Sequence, residues 1–270
     1  MLKVLAFNGS PKMEAGNTQM ILGPFLEGMR EAGADVELYY TARLNLGPCQ
    51  GELGCMFRTP GVCFQDDDAN RLAEKARAAD VIVLASPLYV SGVTGTMKNL
   101  MDRLTALMVN PIFAAGGDGR TYHPARAGEK RHRLVLVSSC AMWEVEKFDP
   151  VIEQMRAIDR DTEIIEFAGA LLRPHADFLR GMLDFRMPCR DVLEAAREAG
   201  RQLVRDGGMS DRTLTIVSRR LVPLRLFVRI GNAYTRRKIG HAGKREQAVP
   251  AAVDAVDSAG ALRARPRRIR

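Results

Sequence analysis

Several things that would mark a membrane, secreted or metal-binding protein are missing from this sequence. No run of 18 or more uninterrupted apolar residues occurs along its 270 residues, which excludes a helix that crosses a bilayer on hydropathy alone. The first residues lack the basic, apolar and small-residue succession of a secretory signal, and an apolar strand pattern begins at Leu2. Cysteines number only five, an odd count, so reduced thiols in a cytoplasmic protein are expected. The four histidines, His123, His132, His175 and His241, include no pair at the i, i+4 spacing of a metal-binding helix and support no Ser–His–Asp order. Aromatics make up 6% of the chain, with Trp143 the only tryptophan.

What is present is a globular composition, 46% hydrophobic and 27% charged, long enough for one large α/β domain with an appendage. The net charge of +8 is unevenly spread. Residues 210–270 hold 15 Lys/Arg against 4 Asp/Glu, a net +11, whereas residues 1–209 hold 25 against 28, a net −3. Any attraction to polyanions therefore belongs to the C-terminal segment. The expected organisation is a domain over 1–209, a basic amphipathic helical extension over 210–241 and a disordered basic tail over 242–270.

Apolar strand-length runs alternate with helical periodicity. Strands are expected at Leu2–Phe7, Asp35–Tyr40, Val81–Ala85, Leu134–Val137 and Glu163–Phe167, with helices over Thr18–Ala32, Leu72–Ala78, Gly95–Met108, Phe148–Ile158 and Asp191–Arg205. The wholly apolar Val81–Ala85 suits a strand buried on both faces of a parallel sheet. Ala114–Arg131 is Gly-rich and polar, a flap or disordered loop. Five such units imply an α/β, doubly wound parallel sheet with right-handed crossovers, of flavodoxin-like order 2-1-3-4-5. Ligands of such sheets collect at the carboxyl ends of the strands, which singles out the loops after Asn8, Ala85 and Val137.

The first of these loops reads Asn8-Gly9-Ser10-Pro11-Lys12 and closes on Gly16-Asn17-Thr18. It lacks the Walker A Gly-Lys-Ser/Thr and the G-x-G-x-x-G spacing. Hydroxyls and backbone N–H groups at a helix start suit a phosphate, and an ordinary βα turn with a Ser cap is the alternative. The second loop, Ser86-Pro87-Leu88-Tyr89-Val90-Ser91-Gly92, offers exposed backbone and a flat aromatic face. The third, Ser138-Ser139-Cys140-Ala141-Met142-Trp143, lies at the matching strand end. Trp143 either stacks on a ligand or packs against the helix around Phe148, and Cys140 reads as a small buried residue.

Gly-Ser-Pro-Lys with Gly-Asn-Thr, then Ser-Pro-Leu-Tyr with Gly-x-x-Lys-Asn-x-x-Asp-Arg over Gly95–Arg103, resemble the NAD(P)H-dependent FMN reductases, and within the flavodoxin superfamily the iron–sulfur flavoprotein branch. The resemblance covers about residues 1–205. It implies FMN phosphate at Ser10, Asn17 and Thr18, with Lys12 a more exposed partner, and ring contacts at Pro87, Leu88, Tyr89 and Val90. In similar proteins the turn at Ser139, Cys140 and Trp143 closes over the flavin. No catalytic side chain is implied, because hydride transfer to flavin N5 needs stacking and orientation rather than a protein acid or base.

The iron–sulfur branch carries four cysteines where this chain has Cys49, Cys55 and Cys63, with Glu52 at the second position. A [4Fe–4S] cluster takes four thiolates, so the expectation is an ordered loop without cluster or other metal, kept for packing or dimerisation. The implied function is an FMN-dependent NAD(P)H oxidoreductase that passes electrons to a quinone, a flavin or another small acceptor. The alternative is an iron–sulfur flavoprotein or flavodoxin-like electron carrier that does not oxidise NAD(P)H directly. A homodimer or homotetramer is implied.

Within residues 212–239, Leu214, Val217, Leu221, Leu224 and Val228 follow helical spacing, interleaved with Arg219, Arg220, Arg225, Arg229, Arg236, Arg237 and Lys238, and Pro223 divides the stretch into two helices. It could pack across a partner subunit, lie on an anionic membrane surface or meet nucleic acid.

Overall fold

The computed structural model describes residues 1–246, with side-chain environments through residue 240. The elements in chain order are β1 (Lys3–Asn8), α1 (Asn17–Glu31), β2 (Asp35–Tyr40), α2 (Gly54–Phe57), α3 (Ala69–Ala78), β3 (Val81–Pro87) and α4 (Gly95–Met108). The two short strands β4 (Ala114–Ala115) and β5 (Thr121–Tyr122) follow, then β6 (His132–Ser139), α5 (Asp149–Asp161), β7 (Ile165–Arg173), α6 (Ala176–Asp184), α7 (Arg190–Asp206), α8 (Asp211–Ser218) and α9 (Leu224–Glu246).

The central sheet has the order β2-β1-β3-β6-β7, all parallel. This is the expected 2-1-3-4-5 arrangement, because β4 and β5 form a separate antiparallel pair inside the expected flap. Helices cover both faces. One core joins Leu72, Leu100, Leu104, Phe148 and Met155 to the sheet, and the other joins Ile21, Phe25, Met29, Val192, Ala196 and Leu203. Every residue of β3 from Val81 to Ser86 is buried, as its unbroken apolar run requires.

Two glycines set the position of α1. A Cβ at Gly28 would lie 1.8 Å from the Arg197 carbonyl oxygen, and one at Gly200 would lie 2.0 Å from that of Phe25. The α1 and α7 backbones therefore touch, and the contact fixes where the α1 N-terminus points. A helical glycine costs about 0.5–1 kcal/mol against alanine, which this close packing must offset.

Two expectations need correction. The last strand runs over Ile165–Arg173 rather than Glu163–Phe167, because it continues through a bulge that leaves Ala168 unpaired beside Gly169, whose φ of +123° is open mainly to glycine. α6, nine residues immediately after Pro174 and His175 and without a side-chain cap, has no counterpart among the expected helices.

Two compact units make up the chain, Met1–Leu221 and a second from Val222 on. The expected extension from residue 210 thus divides. α8 packs on α7 and β7 in the first unit, and α9 belongs to the second. Pro223 separates the two helices, as its missing N–H predicts. The expected tail lies, from residue 247 on, outside the described residues. Among the described residues no helix is long and apolar enough to cross a membrane.

Candidate active site

The switch point between β1 and β3 brings the three expected loops into direct contact. Gly9 N–H donates to the Ala85 carbonyl (2.7 Å), and the Thr94 hydroxyl, at the start of α4, donates to the Gly9 carbonyl (2.8 Å). Leu88 N–H donates to the Ser139 carbonyl (2.8 Å). Across the gap, Thr18 Oγ1 and Ser139 Oγ share a hydrogen bond of 2.8 Å although 121 residues separate them. Both side chains are buried. Whichever hydroxyl donates in that bond, the other keeps its own proton for a third oxygen.

Ser10 is buried and turns its hydroxyl into its own loop, where Oγ accepts from Lys12 N–H at 3.3 Å and so keeps its proton to donate. Asn8 Oδ1 holds the Ser10 N–H (2.8 Å), and Asn8 Nδ2 donates to Gln19 on α1 (2.9 Å). Gly16 has no room for a side chain, because a Cβ there would lie 2.3 Å from Ser10 Oγ. α1 starts directly after this glycine with no side-chain cap and no acidic residue in its first turn. Its dipole therefore meets the loop without a competing carboxylate on the helix.

Asn17 and Lys12 behave differently from Ser10 and Thr18. The Asn17 amide is committed to α6, donating to Asp177 (2.6 Å) and accepting from Arg180 Nε (2.7 Å). Arg180 also donates to the Ala15 carbonyl (2.9 Å) and so adds a cation beside the loop. No sequence signal marks Arg180, which lies 163 residues from Asn17 and reaches it only through the folded sheet. Lys12 is exposed.

In the second loop, Pro87 and Leu88 are half-buried, Tyr89 is 51% exposed and Val90 fully exposed. Tyr89 and Gly92 exchange both backbone hydrogen bonds (2.9 and 3.0 Å) around a turn whose central residues, Val90 and Ser91, have φ of +49° and +62°. Left-handed conformation at a β-branched residue costs on the order of 1–3 kcal/mol and recurs where a loop is held for a ligand. The usual Asn-Gly signature of such a turn is absent from the sequence.

The third loop is fastened from beneath. Cys140 N–H donates to the Arg173 carbonyl (3.1 Å), and the Cys140 carbonyl accepts from Ala176 N–H (2.9 Å). Burial pushes the Cys140 thiol up, in keeping with a packed residue. Arg173 is fully buried and ion-paired to no carboxylate among its hydrogen-bond partners. It donates instead to the carbonyls of Pro174 (2.8 Å), Val217 (2.7 Å) and Arg219 (2.7 Å), the last two at the negative C-terminal end of α8. Burial, with the charge of Arg219, brings its pKa down to about 10. Beside it His175 is buried at φ +39°, with Nε2 accepting from Leu221 N–H (2.9 Å). Burial and the Arg173 charge lower its pKa to about 4, so it stays neutral. Trp143 has the Arg220 guanidinium over its ring at 4.2 Å.

The cysteine loop is built on another plan. The Arg103 guanidinium grips Asp67 through two bonds (2.6 and 2.9 Å), donates to the Gly47 carbonyl (2.7 Å) and reaches Cys63 Sγ (3.3 Å). Both partners of this ion pair are buried. Burial disfavours the ionised Asp67, but Arg103 and the N–H groups of Ala69 and Gly47 outweigh it and hold the carboxyl below the usual range. Asn99 donates to the Leu46 carbonyl (2.9 Å). Asn99 and Arg103 of the Gly95–Arg103 motif thus anchor the cysteine loop. Glu52 spends its carboxylate on Gly54 N–H (2.9 Å) and on Arg58. Cys55 is pushed up by burial and by the neighbouring thiols of Cys63 and Cys49. Among the described residues no group of three or more His, Cys, Asp or Glu side chains is arranged to hold a metal ion. These residues do not fit a four-ligand cluster.

Residues 2–156 match the family model described as NADPH-dependent FMN reductase. The chain belongs to this family. Among its curated relatives, an iron–sulfur flavoprotein of Methanocaldococcus jannaschii is 37% identical over 109 residues, which are 40% of this chain and 54% of that protein. An iron–sulfur flavoprotein of Methanosarcina thermophila is 32% identical over 150 residues, 50% of this chain and 77% of the relative. The chain therefore spans about half the length of the first and about three quarters of the second. In three dimensions the fold is similar to an FMN-dependent NADH-azoreductase of Bacillus anthracis solved with FMN, with a TM-score of 0.53 over 76% of this chain and all of that one, at 14% identity.

Proposed function

We propose that this member of the FMN reductase family is an FMN-dependent oxidoreductase that takes a hydride from NAD(P)H and delivers electrons to a quinone, a free flavin or another small acceptor. The observation that supports this reading most is the buried Thr18–Ser139 hydroxyl bond, which joins the α1 N-terminus to the β6 loop in a site with proton donors to spare. The donor set fits the phosphate of FMN. Ser10 and Thr18 supply hydroxyls, Gly16 lets the backbone close up, α1 supplies its positive end and Arg180 a cation nearby.

Bound FMN would supply two-electron redox chemistry at its ring. The protein's share is binding and orientation. Pro87 and Leu88 would wall one side of the ring, and the strained turn at Val90–Ser91 would hold Tyr89 and backbone groups toward its edge. Ser139 and Cys140 would bound the opposite side through a loop that Arg173 and His175 keep rigid. A homodimer or homotetramer in the cytoplasm is part of the proposal. A second copy would cover Tyr89, Val90 and Met142, which are exposed at the mouth of the site.

An absorption spectrum of the purified protein, before and after NAD(P)H under anaerobic conditions, tests it. A flavin spectrum that bleaches on addition is the expected result, and Ser10→Ala with Thr18→Ala abolishes it. Colourless protein that takes up no added FMN overturns the reading. FMN uptake without NAD(P)H oxidation moves it to an electron carrier.

A further inference from the structure

α9 has an organisation of its own that no redox role explains. Its 23 residues span roughly 35 Å at 1.5 Å per residue. At 100° per residue, Leu224, Phe227, Val228, Ile230, Tyr234 and Ile239 fall within one half of the helix, and Arg225, Arg229 and Arg236 form a stripe about 40° wide along its border. Apart from Phe227, which is half-buried, these apolar side chains are exposed. Tyr234 is 64% and Ile239 66% exposed, and Leu224, Val228 and Ile230 are each about half-exposed at 45–46%. From Val222 to Gly240 there are five cations and no carboxylate. Lys238 extends over the Tyr234 ring at 5.6 Å, a long cationic side chain laid along an apolar one.

Charge and apolarity together select the surface that α9 suits. A nucleic acid would answer the arginines but would leave Ile230, Tyr234 and Ile239 facing water. A neutral apolar partner would answer those residues but not the arginine stripe. An anionic bilayer answers both, with phosphates at the level of the arginines and acyl chains beneath the apolar half. The helix cannot cross such a bilayer, so it would lie in the plane of the interface.

We propose that α9 is an interfacial anchor that holds this protein against an anionic lipid surface. Co-sedimentation of the full chain with vesicles tests it, using phosphatidylcholine alone and phosphatidylcholine mixed with phosphatidylglycerol. Binding is expected only to the anionic vesicles and weakens as salt rises. Replacing Arg225, Arg229 and Arg236 by Gln weakens it by about a hundredfold, at roughly fivefold per cation. Ile230→Ser with Tyr234→Ser, which leaves the charge of the helix as it is, removes vesicle binding and leaves retention on heparin unchanged, because heparin reads charge alone. All variants keep the parent's circular dichroism and flavin content. No partition onto anionic vesicles overturns the proposal. So does partition that survives Ile230→Ser with Tyr234→Ser, since that would be simple polyanion attraction. Dissociation of an oligomer by the same pair of substitutions overturns it too, by assigning the face to a second copy.

Discussion

The loop between β1 and α1 and the loop between β2 and α3 are both rich in glycine and proline, and both begin at the carboxyl end of a strand. They use their polar groups in opposite ways. In the first, Ser10 and one member of the Thr18–Ser139 pair, the latter reaching from across the sheet, keep a hydroxyl proton that the bonds within the site do not consume. In the second, Asp67, Glu52 and Cys63 all have partners inside the protein, in Arg103, Gly54 N–H and Arg58. A loop with donors left over is built to receive something. A loop whose buried charges are answered is built to hold itself in place.

Arg103→Met gives the strongest test of that contrast. It leaves Asp67 buried without its partner, which is expected to cost about 3–5 kcal/mol in urea denaturation. The folded fraction should still take up FMN. A protein of unchanged stability would show that the cysteine loop is not held by this pair.

Ser10→Ala with Thr18→Ala should do the reverse. FMN affinity, read by flavin fluorescence titration, is expected to fall by about a hundredfold or more, at roughly 1.5–3 kcal/mol for each bond to a charged group. The urea midpoint should move far less than with Arg103→Met. Equal losses from the two variants would erase the distinction between the loops.

His175 tests the support beneath the third loop through pH. Its folded pKa is about 4, below the ordinary value near 6.5. Between these values the unfolded chain binds a proton that the folded one does not, so stability falls as pH drops from about 6.5 to about 4. The contribution is fully present above that window and amounts to about 3 kcal/mol. Denaturation at a series of pH values should show this slope, and His175→Gln should flatten it. Glu52→Ala is expected to have the smallest effect, under about 1 kcal/mol and with no loss of flavin, because its ion pair with Arg58 is largely exposed. A large loss of stability there would mean that Glu52 organises the cysteine loop.

Much of the fold was legible because its signals are local. Val81–Ser86 is apolar throughout and became the fully buried central strand, and Gly95–Met108 became α4 with the expected boundaries. The strand that failed, β7, hides its second half behind Gly169, which reads as an end until a bulge accommodates it. Of the candidate site, Ser10 and Thr18 could be named from their place between a strand and a helix. The commitment of Asn17 to Asp177 and Arg180 could not, because α6 carries no sequence signal that ties it to the first loop.

The sequence by itself determined the alternation of strands and helices, hence the parallel sheet and the three loops at its carboxyl edge. Periodicity and apolar runs are properties of neighbouring residues, and they survive without knowledge of the rest of the chain. Only the tertiary structure decided which polar groups meet across that edge. Thr18 finds Ser139, Arg180 reaches Asn17, and Arg103 turns to Asp67 and Cys63. Those pairings span 36 to 163 residues, and each depends on neighbours that meet only once the sheet has closed.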